Sequence, residues 1–362
     1  EQIRTHSVVK PGRGQTVEQW LTTYLDTVAP GRCDPSTVND YRSKCRVWVF
    51  PAFGKTRLDR LKPEQLEALY LHMARSGRAP SFVLKTHRIL TRALKVAHRR
   101  KLVPVNVATL IDSPSAPRVE QDALALPEAI RLIEYSRERR NGARWSSGLA
   151  LGLRQGEALG LRWSFLDLDE EEVAELRVHW QLRRRPFMHG CNPACGRRRG
   201  GNCPDRQLEL RHGEIHLEGG FILKRPKGTG KRENHVPNEL REELLVHRMR
   251  QDIEKALAGD SYVDYDLVFA KPDGRPIDPA DDYAEWREML DAVEIAATRL
   301  HNGRHTAATI LLALGHDVPT VQEILGHADV RTTRGYIHVA SELSKAATKS
   351  IGSAMLGKRR TP

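Results

Sequence analysis

The stretch LGHADVRTTRGYIHV, residues 325–339, places His327 nine residues before Tyr336. The preceding PTVQEIL predicts a short helix that ends at Gly326, which leaves His327 on the helix cap and a second helix to present Tyr336. Tyrosine is a poor nucleophile at its ordinary pKa of about 10. Tyr336 therefore either packs as an ordinary aromatic or attacks a substrate with help from cations elsewhere in the chain.

A group of cations lies upstream, in LHNGRHTAATILLALG at residues 300–315. Its H-x-x-R-H pattern places His301, Arg304 and His305 on one side of a helix start. An arginine and a histidine at a helix N-terminus suit a phosphate group, whether doubly negative or pentacovalent. By itself the same pattern also fits ordinary surface residues at helical spacing.

A third cation, Arg154, follows a predicted buried helix in ALGLRQGEALGLRW, residues 150–163. Gly156 and Glu157 come directly after it, at the start of a shorter predicted helix. Arg154 could cap its own helix, pair with Glu157 or bind a substrate phosphate. The residues alone favour one of the first two.

Taken in order, L-R-x-G-E, H-x-x-R-H, L-G-H and G-Y-I-H resemble the motifs of the tyrosine recombinase (phage integrase) family, in the form of an actinobacterial-type integrase with a Cys-rich insert. The resemblance covers nearly the whole chain. It implies a site-specific DNA recombinase whose two domains form a C-shaped clamp around duplex DNA. Each motif is common alone, but their order and the interval from His327 to Tyr336 are specific.

The resemblance also assigns roles. It implies that Tyr336 attacks a phosphodiester to form a 3′-phosphotyrosyl bond, and that Arg154 and Arg304 clamp the phosphate oxygens. His301 and His327 would hydrogen-bond to the phosphate, while Glu157 and His305 orient the residues around them. No cofactor would be required for catalysis.

Members of the family also use a lysine in a β-hairpin between the two arginine motifs. The matching segment is FILKRPKGTGKRENHVP, residues 221–237. Lys227 is the expected general acid for the leaving 5′ oxygen, because nearby cations and partial burial can lower the pKa of an ammonium group. Lys224 and Lys231 are its rivals and otherwise contact the DNA backbone.

The expected fold is mainly α: an N-terminal four-helix core-binding domain and a mostly helical catalytic domain with a small antiparallel sheet. Apolar residues recur at helical spacing from Thr16, a predicted cap, to about residue 101. A segment rich in proline and small polar residues follows. The expected organisation is a flexible arm or linker at 1–15, the core-binding domain at 16–111, an interdomain linker at 112–122 and the catalytic domain at 123–362.

The predicted outer faces of the first domain carry many basic side chains and few acidic ones. A solvated surface is the ordinary explanation, but the excess favours contact with DNA phosphates. The expected DNA-binding residues are Arg42, Lys44, Lys85, Arg88, Arg92, Lys95, Arg99 and Arg100.

A basic, Cys-rich insert at about 183–219 departs from the compact family pattern. Thiolate and imidazole groups at short spacings suit a closed tetrahedral zinc site, although the spacing is not that of a standard zinc finger. The alternative is a flexible basic loop with free thiols, and in both cases Arg197, Arg198 and Arg199 could touch DNA. The candidate ligands are His189, Cys191, Cys195, Cys203 and His212.

Charge and composition agree with a DNA-binding protein. The chain of 362 residues has a formal net charge of +12 and a pI near 9.6, which favours a polyanionic partner. No apolar run approaches the roughly 18 residues of a membrane helix, and five cysteines make no even-numbered disulfide framework. We expect a soluble, cytoplasmic protein. Because the sequence begins at Glu1, an upstream arm-binding domain could precede it.

The resemblance further implies a homotetramer on double-stranded DNA attachment sites, where a mobile element is integrated or excised. A directionality factor and a host DNA-bending protein would assist it. Residues 341–356 could be exchanged between neighbouring subunits, or could pack on their own domain. The alternatives are type IB topoisomerase-like relaxation, dimer resolution of chromosomes or plasmids, and a DNA-binding regulator without catalysis.

Overall fold

A computed structural model describes residues 14–117, 123–169, 174–192, 194–226 and 232–326. The chain divides into two compact units, Glu1–Glu120 and Gln121–Pro362. Helices predominate in both, and small antiparallel sheets occur in the second. The predicted fold class is thereby confirmed.

The first unit is built from helices whose apolar stripes face one core. Thr16 caps the first helix by accepting a hydrogen bond from the Gln19 amide at 3.3 Å, as the sequence predicts, and Pro63 is the first residue of the fourth. Two π-helical segments, Tyr24–Val28 and Cys45–Val49, continue the first two helices. The helices are α1 (Val17–Thr23), α2 (Pro35–Lys44), α3 (Phe50–Phe53), α4 (Pro63–Arg75) and α5 (Pro80–Arg99).

The core of this unit contains the stripe residues that helical spacing predicts. Trp20 is 1% exposed and its indole Nε1 donates to the Ala93 carbonyl at 3.2 Å, which joins α1 to α5. Cys45 and Met73 are fully buried in the same cluster. A buried indole with a satisfied N–H contributes both apolar area and orientation to the packing.

Acidic partners neutralise part of the basic surface of the first unit. Asp40 pairs with both Lys44 and Lys85, and the Lys44 ammonium also lies 4.6 Å from the centre of the Phe82 ring. Lys44 is only 6% exposed. The prediction that Lys44 lies on the exposed outer face is therefore wrong, because its aliphatic stem and charge are used inside the unit.

The other side chains predicted to contact DNA are at least partly exposed at the surface of the first unit. Arg42 pairs with Asp26 at 2.8 Å, Arg92 donates to the Tyr41 hydroxyl at 3.1 Å, and Arg100 covers the Trp20 ring. The exposed ion pair Arg42–Asp26 contributes little to stability. The remaining predicted contacts are Lys85, Arg88, Lys95 and Arg99, all on α5.

The second unit alternates short helices with strands before it becomes helical again. Its helices are α6 (Leu126–Arg137), α7 (Gly142–Ala150), α8 (Gln155–Leu159), α9 (Asn238–Ala258), α10 (Pro279–Ala292), α11 (Asn302–Ala313) and α12 (Val318–Leu325). Its strands are β1 (Leu166–Asp167), β2 (Glu175–Val178), β3 (Gln181–Arg184), β4 (Met188–His189), β5 (Arg206–Gln207), β6 (Ile215–His216), β7 (Phe221–Lys224) and β8 (Arg232–His235). None of the described helices is both long and apolar enough to cross a membrane.

The strands form three antiparallel sheets, in the orders β1-β2-β8, β3-β7-β6 and β4-β5. Strand β8 alternates buried and exposed residues, so Arg232 and Asn234 point inward. Strands β6 and β7 are separated by a turn in which Gly219 adopts a φ of +51°. Residues 267–270 are buried and make isolated bridges, such as Leu267 with Arg162.

Candidate active site

Arg154 and Glu157 form the first pair of the candidate site, at the start of α8. The Glu157 carboxylate accepts from the Arg154 backbone amide at 3.0 Å and from its guanidinium Nη1 at 2.5 Å. Glu157 is only 3% exposed, whereas the side chain of Arg154 remains 38% exposed. Arg154 is therefore oriented by a buried carboxylate and still reaches solvent.

Arg232, on β8, is a member of this site that the sequence analysis missed. Its Nη1 donates to the other carboxylate oxygen of Glu157 at 2.9 Å, so one buried carboxylate serves two guanidiniums. Burial lowers the pKa of Arg232 to about 10, and the charge of Glu157 opposes that effect. The alternation of buried and exposed residues in RENH, residues 232–235, is a sequence signal that Arg232 points inward. Its partner is identified only by the tertiary packing.

Arg304 lies in the first turn of α11 and is 2% exposed. Its Nη1 donates to the Gly152 carbonyl at 2.8 Å, and its Nη2 donates to the Leu325 carbonyl. These bonds connect α11 to the loop before α8 and to the end of α12. They use two of the five N–H groups of the guanidinium.

His301 caps α11, and His305 follows one turn later. Their rings meet edge to face with centroids 4.9 Å apart. Desolvation, and then the charges of Arg304 and Arg154, lower the pKa of His301, although the residue is exposed. The lowered pKa and the exposure are consistent if one edge of the His301 ring packs against neighbouring groups and the other edge contacts solvent. Burial, His301 and Arg304 lower the pKa of His305 to about 4.

Electrostatic contact joins the motifs that are far apart in sequence. Arg304 donates to the Gly152 carbonyl, two residues before Arg154, at 2.8 Å, and the charges of Arg304 and Arg154 lower the pKa of His301. The structure therefore brings the L-R-x-G-E and H-x-x-R-H segments to one region. With two neutral imidazoles beside two guanidiniums, this region can hold an anion and donate hydrogen bonds to it.

Two of these arginines bind the C-terminal end of α12. Gly326 ends the helix in the left-handed conformation with a φ of +61°, as the sequence predicts for a C-terminal glycine. Arg232 Nε donates to the Ile324 carbonyl at 2.7 Å, next to the Leu325 carbonyl that binds Arg304. Cations at a helix C-terminus also complement its dipole.

Several predicted site residues lie outside the described residues: Lys227, the rival Lys231, His327 and Tyr336, together with the 341–356 segment. The other rival, Lys224, ends β7 and lies opposite Gln181 of β3. Lys224 is half-buried. The described arginines and histidines thus define one side of the predicted site.

A second cluster lies in the segment that we term the cysteine loop, residues 186–212 without residue 193. Donor atoms of His189, Cys191, Cys195 and Cys203 all lie within 4.8 Å of one another and could hold a metal ion. His212 is exposed and does not belong to this group. The prediction of His212 as a ligand is wrong, because the hairpin β4–β5 closes around His189 and the three thiols alone.

Hydrogen-bond distances describe the cluster further. Cys195 Sγ lies 3.4 Å and Cys191 Sγ 3.9 Å from His189 Nδ1, and the Cys195 amide donates to Cys191 Sγ at 3.3 Å. Burial alone would raise the pKa of the Cys203 thiol, but hydrogen bonds, first from Cys191, lower it to about 6. A thiol with such partners is readily converted to a thiolate.

In the second unit, arginines and histidines converge at the start of α11, an arrangement that is suited to binding an anion such as a phosphate. Residues 205–342 match the Phage integrase family, and residues 16–73 match the Phage integrase N-terminal SAM-like domain. An integrase from Saccharopolyspora erythraea is 32% identical over 97% of this chain and 85% of its own length. The chain belongs to the phage integrase family and is a tyrosine-type site-specific recombinase.

More distant proteins share the architecture. A Tyrosine recombinase XerC-like protein of Caldanaerobacter subterraneus is 24% identical over 94% of this chain and 84% of its own length. The Tn1549 transposon integrase in complex with a circular intermediate DNA has a TM-score of 0.66 and 18% identity, covering 89% of this chain and 95% of its own. A lambda integrase tetramer bound to a Holliday junction has a TM-score of 0.59 and 13% identity, covering 90% and 82%.

Proposed function

We propose that this recombinase integrates or excises a mobile element, with Tyr336 as the nucleophile. The observation that carries the proposal is the convergence of Arg154, His301 and Arg304 around the start of α11. Cations placed where charge develops stabilise the transition state of phosphoryl transfer. Lowered imidazole pKa values keep His301 and His305 neutral at pH 7, so they donate hydrogen bonds without adding charge.

The reaction conserves the energy of the bond that is cut. The Tyr336 oxygen attacks phosphorus, forms a 3′-phosphotyrosyl bond and expels a 5′ oxygen, to which Lys227 gives a proton. The 5′ hydroxyl of the partner strand then attacks the phosphotyrosyl phosphorus and releases Tyr336. Arg154 and Arg304 bind the non-bridging oxygens, and His301 and His327 hydrogen-bond to the phosphate.

The assignment of Arg304 as a ligand of the phosphate requires a local movement of the protein. Arg304 is 2% exposed and donates to the carbonyls of Gly152 and Leu325. A phosphate can reach this guanidinium only if the loop at Gly152 or the end of α12 shifts when DNA binds. Arg154, which is 38% exposed, is accessible without such a shift.

The proposed substrate is a pair of double-stranded DNA attachment sites, held by a homotetramer. The structures of the DNA-bound Tn1549 integrase and of a lambda integrase tetramer on a Holliday junction support this assembly. Residues 16–111 act as the core-binding domain and residues 123–362 as the catalytic domain, with 112–122 as linker. Action on genomic DNA places the protein in the cytoplasm, with a directionality factor and a DNA-bending protein as partners.

The experiment is a trap of the covalent adduct. A nicked suicide duplex, taken from DNA flanking the gene, loses its short 5′ fragment after cleavage, so the phosphotyrosyl bond persists. We expect a slowly migrating protein–DNA adduct from the wild type and none from Tyr336→Phe. Tyr283→Phe, which changes an exposed tyrosine on α10, is the matched control. An adduct with Tyr336→Phe would refute the assignment of the nucleophile.

A second assay separates recombination from relaxation. A plasmid with two attachment sites and a plasmid with none are incubated with the protein. Recombination converts only the first into exchanged products. Relaxation of the second plasmid at a similar rate would instead identify topoisomerase-like activity.

The metal in the cysteine loop is proposed to be structural Zn²⁺. Three thiols and one imidazole are ligands that zinc prefers in closed tetrahedral sites. These residues lie apart in sequence from the motifs assigned to phosphate chemistry. Zinc here would shape the loop and take no part in strand transfer.

A further inference from the structure

The cysteine loop lacks what ordinarily folds a segment of its length. Among its described residues, Cys203 is the only buried side chain. None of these residues belongs to the hydrophobic clusters of the second unit. Segments without an apolar core are held by disulfides, metals or partners.

The loop nevertheless has a defined and tight backbone. A Cβ added at Gly190 would lie 2.3 Å from the Asp205 carbonyl oxygen, and one at Gly200 would lie 2.1 Å from that of Phe187. The strands β4 and β5 pair next to these contacts. Because side-chain packing does not explain such close approach, the four donor groups at the centre are the available cause.

The donor geometry agrees with a tetrahedral ion. Zinc bond lengths of about 2.3 Å to sulfur and 2.0 Å to nitrogen place neighbouring ligand atoms roughly 3.6 Å apart. The distances from His189 Nδ1 to the sulfurs of Cys195 and Cys191, 3.4 and 3.9 Å, bracket that value. The fourth donor, Cys203, lies at the other end of the loop, so one ion would close it.

The base of the loop is anchored to the catalytic unit. Arg185 pairs with Glu214 through both guanidinium nitrogens, at 2.5 and 2.7 Å, and also donates to the Glu209 carbonyl at 2.5 Å. Both charged side chains are buried, which makes this pair rigid. These bonds join the two ends of the loop, which continue directly into β3 and β6 of one sheet in the unit that contains the candidate active site.

The charge of the loop indicates its partner. It contains five arginines and two acidic residues, and Arg197, Arg198 and Arg199 are consecutive and exposed between the ligands Cys195 and Cys203. A ligand on either side of this triplet limits its conformations. Three exposed guanidiniums on a constrained loop are suited to bind the phosphates of a polyanion such as DNA.

We infer that the cysteine loop is a zinc-folded DNA clamp, in which one Zn²⁺ bound by His189, Cys191, Cys195 and Cys203 holds Arg197, Arg198 and Arg199 against DNA phosphates. This inference rests on the proposed function only for the identity of the polyanion. The contacts are to phosphate and add affinity without sequence preference.

The first test measures zinc in the full-length chain by mass spectrometry. We expect one zinc per chain in the wild type, less than a tenth of that in Cys195→Ser, and an unchanged value in Cys33→Ser, which removes a thiol outside the loop. If the wild-type protein, purified under reducing conditions, contains no bound zinc, the inference is overturned. A disulfide among the three loop cysteines would overturn it as well.

The second test measures affinity for a random-sequence 40-base-pair duplex at several salt concentrations. Replacement of Arg197, Arg198 and Arg199 by glutamine should make the negative slope of log affinity against log salt shallower by about 2.7, since each lost phosphate contact removes about 0.9 from its magnitude. Removal of zinc with a chelator should produce a similar loss, and added Zn²⁺ should restore the slope. An unchanged slope in the zinc-loaded triple variant would refute the DNA contact.

Matched controls separate this result from general charge effects and from the proposed function. Replacement of the exposed Arg131, Arg250 and Arg287 by glutamine removes the same charge from α6, α9 and α10, and the slope should change by less than half as much. An equal change would refute a specific contact. If the wild type forms its covalent adduct while the loop variants bind DNA normally, only the inference about the cysteine loop is refuted. If the loop behaves as expected but no adduct forms, only the proposed reaction is refuted.

Discussion

The Arg154–Glu157–Arg232 group and the cysteine loop are both polar assemblies of the second unit, but different forces organise them. The first is built on a core: Glu157 and Arg232 are buried beside Ala158 and Leu159, which are fully buried. The second has Cys203 as the only buried side chain among its described residues. Burial makes each ion pair of the first group costly to break, whereas the second depends on its ligands.

The largest expected effect is from Arg232→Met. The variant removes the donor to Glu157 and to the carbonyls of Leu151 and Ile324. Loss of one partner of a buried pair should lower the free energy of unfolding by about 4 kcal/mol, measured by urea denaturation. Arg177→Met, an exposed arginine on β2, should change it by less than about 0.5 kcal/mol. Equal effects would show that burial does not distinguish this group.

Glu157→Gln should have the next largest effect. The amide keeps the shape and one accepting oxygen, but two guanidiniums lose their neutralising charge. We expect a loss of about 2 kcal/mol in the free energy of unfolding. Glu175→Gln on the exposed face of β2 serves as control, and a loss in that variant as large as in Glu157→Gln would contradict the argument.

A pH effect of similar size should follow from His305, whose folded pKa is lowered to about 4. Between that value and the ordinary 6.5, the unfolded chain binds more protons, so stability falls as pH falls. From pH 7 to pH 5 the wild type should lose about 2 kcal/mol more than His305→Gln, in matched denaturation curves. Parallel curves for the two proteins would show that His305 does not carry the effect.

Removal of the proposed zinc from the cysteine loop should have the smallest effect on global stability. It also tests most directly whether the loop and the Arg154–Glu157–Arg232 group are organised by different forces. Chelation should change the unfolding free energy of the second unit by less than about 1 kcal/mol, because its cores do not include the loop. Amide hydrogen exchange in the cysteine loop should accelerate by at least about tenfold, while α8 and α11 keep their protection. Acceleration in all three regions would mean that the loop and the catalytic core fold as one unit.

The elements that the sequence predicts well are those in which a local pattern determines burial. The stripes of the first unit, such as Val17, Trp20 and Leu21, follow helical period and are each 1% exposed. Gly326 likewise ends its helix through a conformation that suits glycine. Here the local preference and the tertiary packing favour the same structure.

Elements that depend on long-range approach could not be predicted from pattern alone. Arg232 acquires its role only because β8 lies beside both α8 and α12. Lys44 is buried because Asp40 and Phe82 both contact it, although its spacing is that of a surface residue. His212 carries an imidazole that could bind a metal, but it does not lie near the other donors. The fold of the loop, and not the interval along the sequence, determines which side chains come together.

The arginines at the end of α12 have one more consequence. Two guanidiniums from different elements hold the carbonyls of Ile324 and Leu325, immediately before Gly326. The last described turn of α12 is therefore positioned jointly by Arg232 and Arg304. Under the proposed function, a phosphate that draws Arg304 away from Leu325 would also loosen this turn. Phosphate binding and the position of Gly326 would then change together.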